Sequence, residues 1–176
     1  PQMILALDPS STRTGYALMR DATPAGLVDA GYLTPNRTKD PPVERIRAMH
    51  EALFELIEEY KPATLVVEIP SGKIGTGHRR RAGAMLAIYG MAVGAMLGTA
   101  WANEHLQAPD IRTVDERTWT AGKPKRDRIE QLAWLYPQVR TMLDQKSDSG
   151  GDAADAIGIA AWYFREYPCS AAATTS

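Results

Sequence analysis

Ile4-Leu5-Ala6-Leu7-Asp8-Pro9-Ser10-Ser11 is the stretch that settles the fold class. With Met3 it begins as an unbroken apolar run, without the polar alternation of a one-sided strand. Such a run marks a central strand covered on both faces. It stops at a carboxylate and a Pro-Ser-Ser turn. In an open α/β sheet, the ends of such strands are where ligands bind.

Outward from that strand, residues 15–19 and 27–33 read as two more strands, joined by a hairpin turn over 22–26. Beyond a polar loop, Val43, Ile46, Met49, Leu53, Leu56, Ile57 and Tyr60 recur at helical spacing, opened by Pro42 and closed by Lys61-Pro62. Leu65, Val66 and Val67 form a second buried run, and it ends on Glu68. A flexible stretch over 70–77 precedes an alanine–glycine helix reaching about residue 105. Residues 111–114 predict a strand and 117–128 a basic loop. Ile129, Leu132, Ala133 and Leu135 then predict a helix that Pro137 stops. A polar loop over 144–151 leads into a last helix over 152–164. The order β-β-β-α-β-α-β-α-α implies hairpin pairing followed by parallel pairing. The expected fold is α/β: a mixed five-stranded sheet flanked by helices, in one domain over 1–168 with a disordered tail over 169–176.

The chain has 176 residues, 44% hydrophobic and 23% charged, which excludes disordered, collagen-like and coiled-coil classes. Its 20 basic and 21 acidic residues leave a net charge of −1, so the total charge offers no reason to expect a polyanionic partner. A single cysteine, Cys169, excludes an internal disulfide and favours a reducing compartment, the cytoplasm. No basic segment precedes the first short apolar run, so no signal peptide is expected. Residues 82–102 carry no charge and follow Arg79, Arg80 and Arg81, which are cues for a membrane helix. Seven Ala and four Gly among those 21 residues make the segment only weakly apolar. Gly90, Gly94 and Gly98 form a ridge that lets another backbone come close, which would serve a buried helix of a soluble protein equally well, and no membrane partner is expected.

Four carboxylates stand where folding does not ask for them. Asp8 and Glu68 end the two buried runs, and Asp152 and Asp155 share one face at the start of the last helix. Each has an ordinary reading: Asp152 as a helix N-cap, Asp155 as a first-turn acid, Asp8 as an Asx turn. Glu68 has none, because a carboxylate after Leu-Val-Val neither caps nor turns. If the two strands are neighbours and the helix packs beside them, all four converge. Four oxygen donors without His or Cys suit a hard divalent cation, Mg²⁺ or Mn²⁺. Such a cluster can hold two metals about 4 Å apart, for phosphodiester hydrolysis.

Ile4-Leu5-Ala6-Leu7-Asp8-Pro9-Ser10-Ser11-Thr12-Arg13-Thr14-Gly15-Tyr16 resembles the opening of RuvC-type Holliday-junction resolvases. Val66-Val67-Glu68 resembles their second acidic site, and Asp152-Ala153-Ala154-Asp155-Ala156 their last motif. The resemblance implies an RNase H-like fold over nearly the whole chain, with Asp8, Glu68, Asp152 and Asp155 as metal ligands and catalytic acids. It implies a Mg²⁺-dependent homodimer that nicks two opposed strands of a four-way DNA junction, leaving 5′-phosphate and 3′-hydroxyl ends. The family usually carries an aromatic residue three places after the Glu68 position, and this chain has Ser71 there. That departure points toward a broader branched-DNA nuclease, as in phage-encoded relatives.

Two basic clusters flank these motifs: Lys73, His78, Arg79, Arg80 and Arg81 after Glu68, and Arg117, Lys123, Lys125, Arg126 and Arg128 before a helix. Alone they would be solvated surface. Beside a phosphodiester site, Lys73, Arg79, Arg80, Arg81, Arg117, Lys123, Lys125 and Arg126 become DNA-phosphate contacts, and one of them can stabilise charge on the phosphate under attack. Trp119 reads as a core residue ahead of a base-stacking one. His50, His78 and His105 are too scattered for a metal site, and Glu51, Glu55, Glu58 and Glu59 form a solvated helix face. With the four site acids neutralised by metal, 20 basic residues face 17 acidic ones, so the near-neutral total conceals a basic side. Two alternatives remain: an ATP-binding protein of the actin and sugar-kinase superfold, for which one domain of this size is too little, and a non-catalytic junction-binding module, which has no use for four acids.

Overall fold

The computed structural model describes residues 2–34, 39–69, 79–106, 110–144 and 151–168. Five strands form one sheet: β1 (Ile4–Asp8), β2 (Gly15–Met19), β3 (Leu27–Tyr32), β4 (Thr64–Ile69) and β5 (Ile111–Asp115), in the order β3-β2-β1-β4-β5. β1, β2 and β3 pair antiparallel, and β4 and β5 continue the sheet in parallel. The helices are α1 (Pro42–Tyr60), α2 (Arg79–Ala102), α3 (Glu116–Thr120), α4 (Lys125–Leu135), α5 (Pro137–Asp144) and α6 (Asp152–Glu166).

Both faces of the sheet are covered, which is why its central strands have no polar alternation. Leu5, Leu7, Leu65 and Val67 point to α1 and α2, where Met49, Leu53, Ile57 and Met96 receive them. Ile4, Ala6 and Val66 point to α6 and meet Ile157 and Ala160. Burying each such aliphatic side chain stabilises the fold by about 1.5–3 kcal/mol. By the same alternation, Asp8 and Glu68 lie on the α6 face.

α6 lies directly on the sheet because its contact residues are small. Ala153, Ala154 and Ala156 are fully buried, and a Cβ on Gly15 of β2 would run into the Asp152 carbonyl. Gly15 is the register partner of Asp8. Its missing side chain therefore brings the first residue of α6 beside the end of β1.

Three expectations are corrected. Residues 117–128 are mostly helical: Asp115 Oδ1 accepts from the Thr118 backbone N–H at 3.1 Å and caps α3, and α4 begins at Lys125. Pro137 starts α5 rather than merely ending α4, so three helices stand between β5 and α6. α2 ends at Ala102, where Asn103 turns its side chain to Glu58 (Nδ2 to Oε1, 2.8 Å). The tail over 169–176 with Cys169 and the flexible stretch over 70–77 lie outside the described residues. Among the described residues no helix is long and apolar enough to cross a membrane.

Candidate active site

β1 and β4 pair in parallel with Leu7 opposite Val67, so Asp8, the last residue of β1, and Glu68, the last but one of β4, follow on adjacent strands at the middle of the sheet. α6 brings Asp152 and Asp155 over the same point. Burial first, then the charges of Glu68, Asp155 and Asp152, push the Asp8 carboxyl well above the usual carboxylate range. The four acids of the opening, second and last motifs thus act on one another. The ordinary readings fail for two of them. Gly151, at φ 76°, is the N-cap of α6 and Asp152 is its first residue. The Ser10 backbone N–H turns to Thr14 Oγ1 at 3.4 Å, not to Asp8.

Glu68 is held by Trp119, whose Nε1 donates to Oε2 at 2.6 Å. Burial raises the Glu68 carboxyl to about 7 even though that hydrogen bond works against the rise. Trp119 is a core residue, 6% exposed, and it reaches this position because Gly158 of α6 leaves room for its ring. Asp155 is held by Arg128: Nε to Oδ1 at 2.9 Å and Nη2 to Oδ2 at 3.0 Å, with both residues buried. The Arg128 guanidinium also lies 4.7 Å over the Trp119 ring. One chain of contacts, Glu68–Trp119–Arg128–Asp155, therefore braces two of the acids.

Lys125 Nζ lies 3.0 Å from Asp155 Oδ2 and 3.7 Å from Asp152 Oδ1, half exposed. Asp152 is raised by burial, with Lys125 and Arg13 acting to lower it. On α2, Tyr89 borders the same point, its phenol pushed up by burial and by the charges of Glu68 and Asp8.

The other basic residues are distributed more loosely. Arg117, Lys123 and Arg126 are exposed on α3, the following turn and α4, and Lys123 bonds Gln131. Arg79, Arg80 and Arg81 form the first turn of α2, while Lys73 lies outside the described residues. Sequence reasoning missed Arg128 as a buried partner, because a cation within a charge run reads as solvated. It also gave no task to Arg13 or Tyr89, and no local pattern marks either.

Among the described residues no three acids are drawn tightly enough to form a ready-made metal cage; Lys125 and Arg128 hold Asp152 and Asp155 to one side. The donor set nevertheless fits a hard cation. All four donors are carboxylates, and Asp8 accepts no hydrogen bond from a described residue while three like charges press on it. A divalent ion answers that repulsion directly.

Proteins of known name share this chain's sequence pattern and fold. The Halorhodospira halophila protein named crossover junction endodeoxyribonuclease RuvC is 31% identical over 173 residues, covering 97% of this chain and 96% of that one. The Saccharophagus degradans protein of the same name is 27% identical over 90% of this chain and 84% of its own length. In structure, T. thermophilus RuvC in complex with Holliday junction substrate superposes with a TM-score of 0.67 at 17% identity, covering 94% of this chain and 96% of that one. The family profile described as crossover junction endodeoxyribonuclease RuvC matches residues 4–162, and the chain belongs to that family.

Proposed function

We propose that this chain nicks opposed strands of a four-way DNA junction as a homodimer, with Asp8, Glu68, Asp152 and Asp155 holding two Mg²⁺ ions, for which Mn²⁺ can substitute. Family membership makes it a Holliday-junction-resolving, divalent-metal-dependent endonuclease; to that we add the ion, its number and the residue roles. The observation that carries the reading is the pressure on Asp8, a carboxylate in like-charged company whose ionised form bound divalent cations would stabilise. Bound there, the ions supply an activated water and stabilise the departing 3′-oxygen.

The chain's own residues do the rest. Trp119 and Arg128 fix the directions of Glu68 and Asp155. Half-exposed Lys125, between Asp152 and Asp155, is available to charge developing on the phosphate. Arg117, Lys123 and Arg126, with Lys73, Arg79, Arg80 and Arg81, place the DNA through its phosphates without reading bases. Support for the homodimer comes from the outer face of α2, where Leu86, Gly90, Met91, Gly94, Gly98 and Trp101 lie exposed without a charge among them. An apolar face of this length on a water-soluble fold invites a second copy.

Asp8→Asn should abolish cutting of a synthetic four-way junction in Mg²⁺ while leaving junction binding intact. Undiminished cleavage by that variant overturns the assignment. Ser71, at the place where relatives carry an aromatic, favours a second reading in which forks and flaps are also cut. A panel of junctions, Y-forks, flaps and linear duplexes, each with and without Mg²⁺, separates the two. The ATP-binding alternative is set aside by the family result.

A further inference from the structure

Asp8, Gly15 and Tyr32 form one register row across β1, β2 and β3, so the Tyr32 side chain stands on the same face of the sheet as Asp8, two strand spacings away. Arg13, in the turn between β1 and β2, sits over the ring of that tyrosine, its guanidinium carbon 3.6 Å from the centroid. Among the described residues no carboxylate or carbonyl accepts from it. The nearby acids are otherwise engaged, since Asp155 is held by Arg128 and Lys125, and Asp152 by Lys125. Arg13 nevertheless acts on Asp152 by charge.

A guanidinium stacked on a ring has already lost much of its rotamer freedom, and its N–H fork is oriented before any partner arrives. Its part-exposed position at the rim of an acidic site leaves that fork facing whatever enters the site. The acceptor matching a planar fork in two parallel hydrogen bonds is a carboxylate or a phosphodiester. A DNA strand brought to the four acids supplies phosphodiesters.

We propose that Arg13 is a substrate-contacting residue that binds a backbone phosphate of the strand lying in the acid site, with Tyr32 as the shelf that fixes its plane. The inference rests on the junction-nuclease reading and deepens it by naming a phosphate contact outside both basic clusters. Tyr32 acts through Arg13 and is a positioning residue.

The test is the salt dependence of junction binding, measured by anisotropy of a labelled four-way junction with the full chain in EDTA. Each phosphate contact contributes about one unit to the slope of log affinity against log salt. Arg13→Gln should lower that slope by about one and weaken binding about 3–10-fold, while Arg13→Lys keeps the slope. Tyr32→Leu should keep the slope and slow cleavage at saturating junction, because the charge remains but its placement is lost. A slope unchanged in Arg13→Gln, or lost equally in Arg13→Lys, overturns the contact.

A second measurement places the change on the DNA instead of the protein. Neutral methylphosphonates placed one at a time in the cut strand should reveal one position that weakens binding as Arg13→Gln does. That position should cost the Arg13→Gln variant nothing further. Absence of any such position overturns the inference alone. If the unaltered chain prefers no junction over linear duplex and cuts neither, the junction-nuclease reading itself falls.

Discussion

Trp119 Nε1 reaches Glu68 Oε2 at 2.6 Å, so a tryptophan in the core beneath α6 is the direct hydrogen-bond donor to an acid of the site. The bond favours the ionised carboxylate, opposing burial and the charge of Asp155, which together raise the Glu68 carboxyl to about 7. The indole thereby makes Glu68 a better cation ligand at neutral pH than its surroundings alone would.

Trp119→Phe keeps the buried ring and removes only the donor. The Glu68 carboxyl then rises further, since the hydrogen bond that lowers it is gone. The acid limb of the cleavage-rate profile should move to higher pH, and the Mg²⁺ concentration for half-maximal rate at pH 7 should increase, by about 10-fold as for other residues that orient metal ligands. A profile superposing on that of the unaltered chain would show that the bond does not tune Glu68.

Arg128 and Asp155 form a buried two-point ion pair, and removing Arg128 leaves the buried Asp155 carboxylate with half-exposed Lys125 alone. Arg128→Met should destabilise the fold by about 3–5 kcal/mol, read by urea unfolding in EDTA. Replacing both, as Arg128→Met with Asp155→Leu, should recover most of that loss because neither charge remains buried. Cleavage should not return in the double variant. Stability lost equally in single and double variants would mean that packing, not charge, governs the site.

The apolar runs of β1 and β4 were legible because a strand covered on both faces has no alternation to hide it, and the acids after them stood out for the same reason. Asp152 and Asp155 were legible as a pair through their helical spacing. What escaped was pairing across long separations. Arg128 looks like one cation in a charge run until α4 folds against α6, and Gly15 looks like an ordinary first residue of a strand until Asp152 lies over it. The short helices α3 and α5 escaped because a few residues carry too little periodicity to outweigh nearby Gly and Pro. Asp115 three residues before Thr118 was the one local sign of α3.

Metal-free stability should depend on pH in a direction opposite to that of ordinary salt-bridged carboxylates. Burial and like charges raise Asp8 and Glu68, so the folded state prefers them protonated. Their contribution is fully present below the unfolded value and is lost as pH rises through the folded one, for Glu68 between 4.5 and about 7. In EDTA the Tm should therefore fall across that window, and Mg²⁺ should raise it more at pH 8 than at pH 5. Asp8→Asn should melt higher than the unaltered chain at pH 8 in EDTA, with a smaller response to Mg²⁺ and no cleavage. A Tm in EDTA that rises over the same window would contradict the assignment of these two acids.

The outer face of α2 makes the paired nick testable without touching the acids. Gly94 is exposed on that helix, and a Cβ built there meets nothing within 4 Å, so Gly94→Glu should leave the monomer folded. Glutamate is also the better helix former, by roughly 0.5 kcal/mol or more. If two copies join along this face, a buried charge every time they meet should shift sedimentation from dimer to monomer at micromolar concentration. Strand cutting should then become unpaired: on a junction closed into a small supercoiled cruciform, the variant should give singly nicked circles where the unaltered chain gives linear product. A Gly94→Glu chain that still sediments as a dimer and still linearises the cruciform would place the dimer contact elsewhere on the molecule.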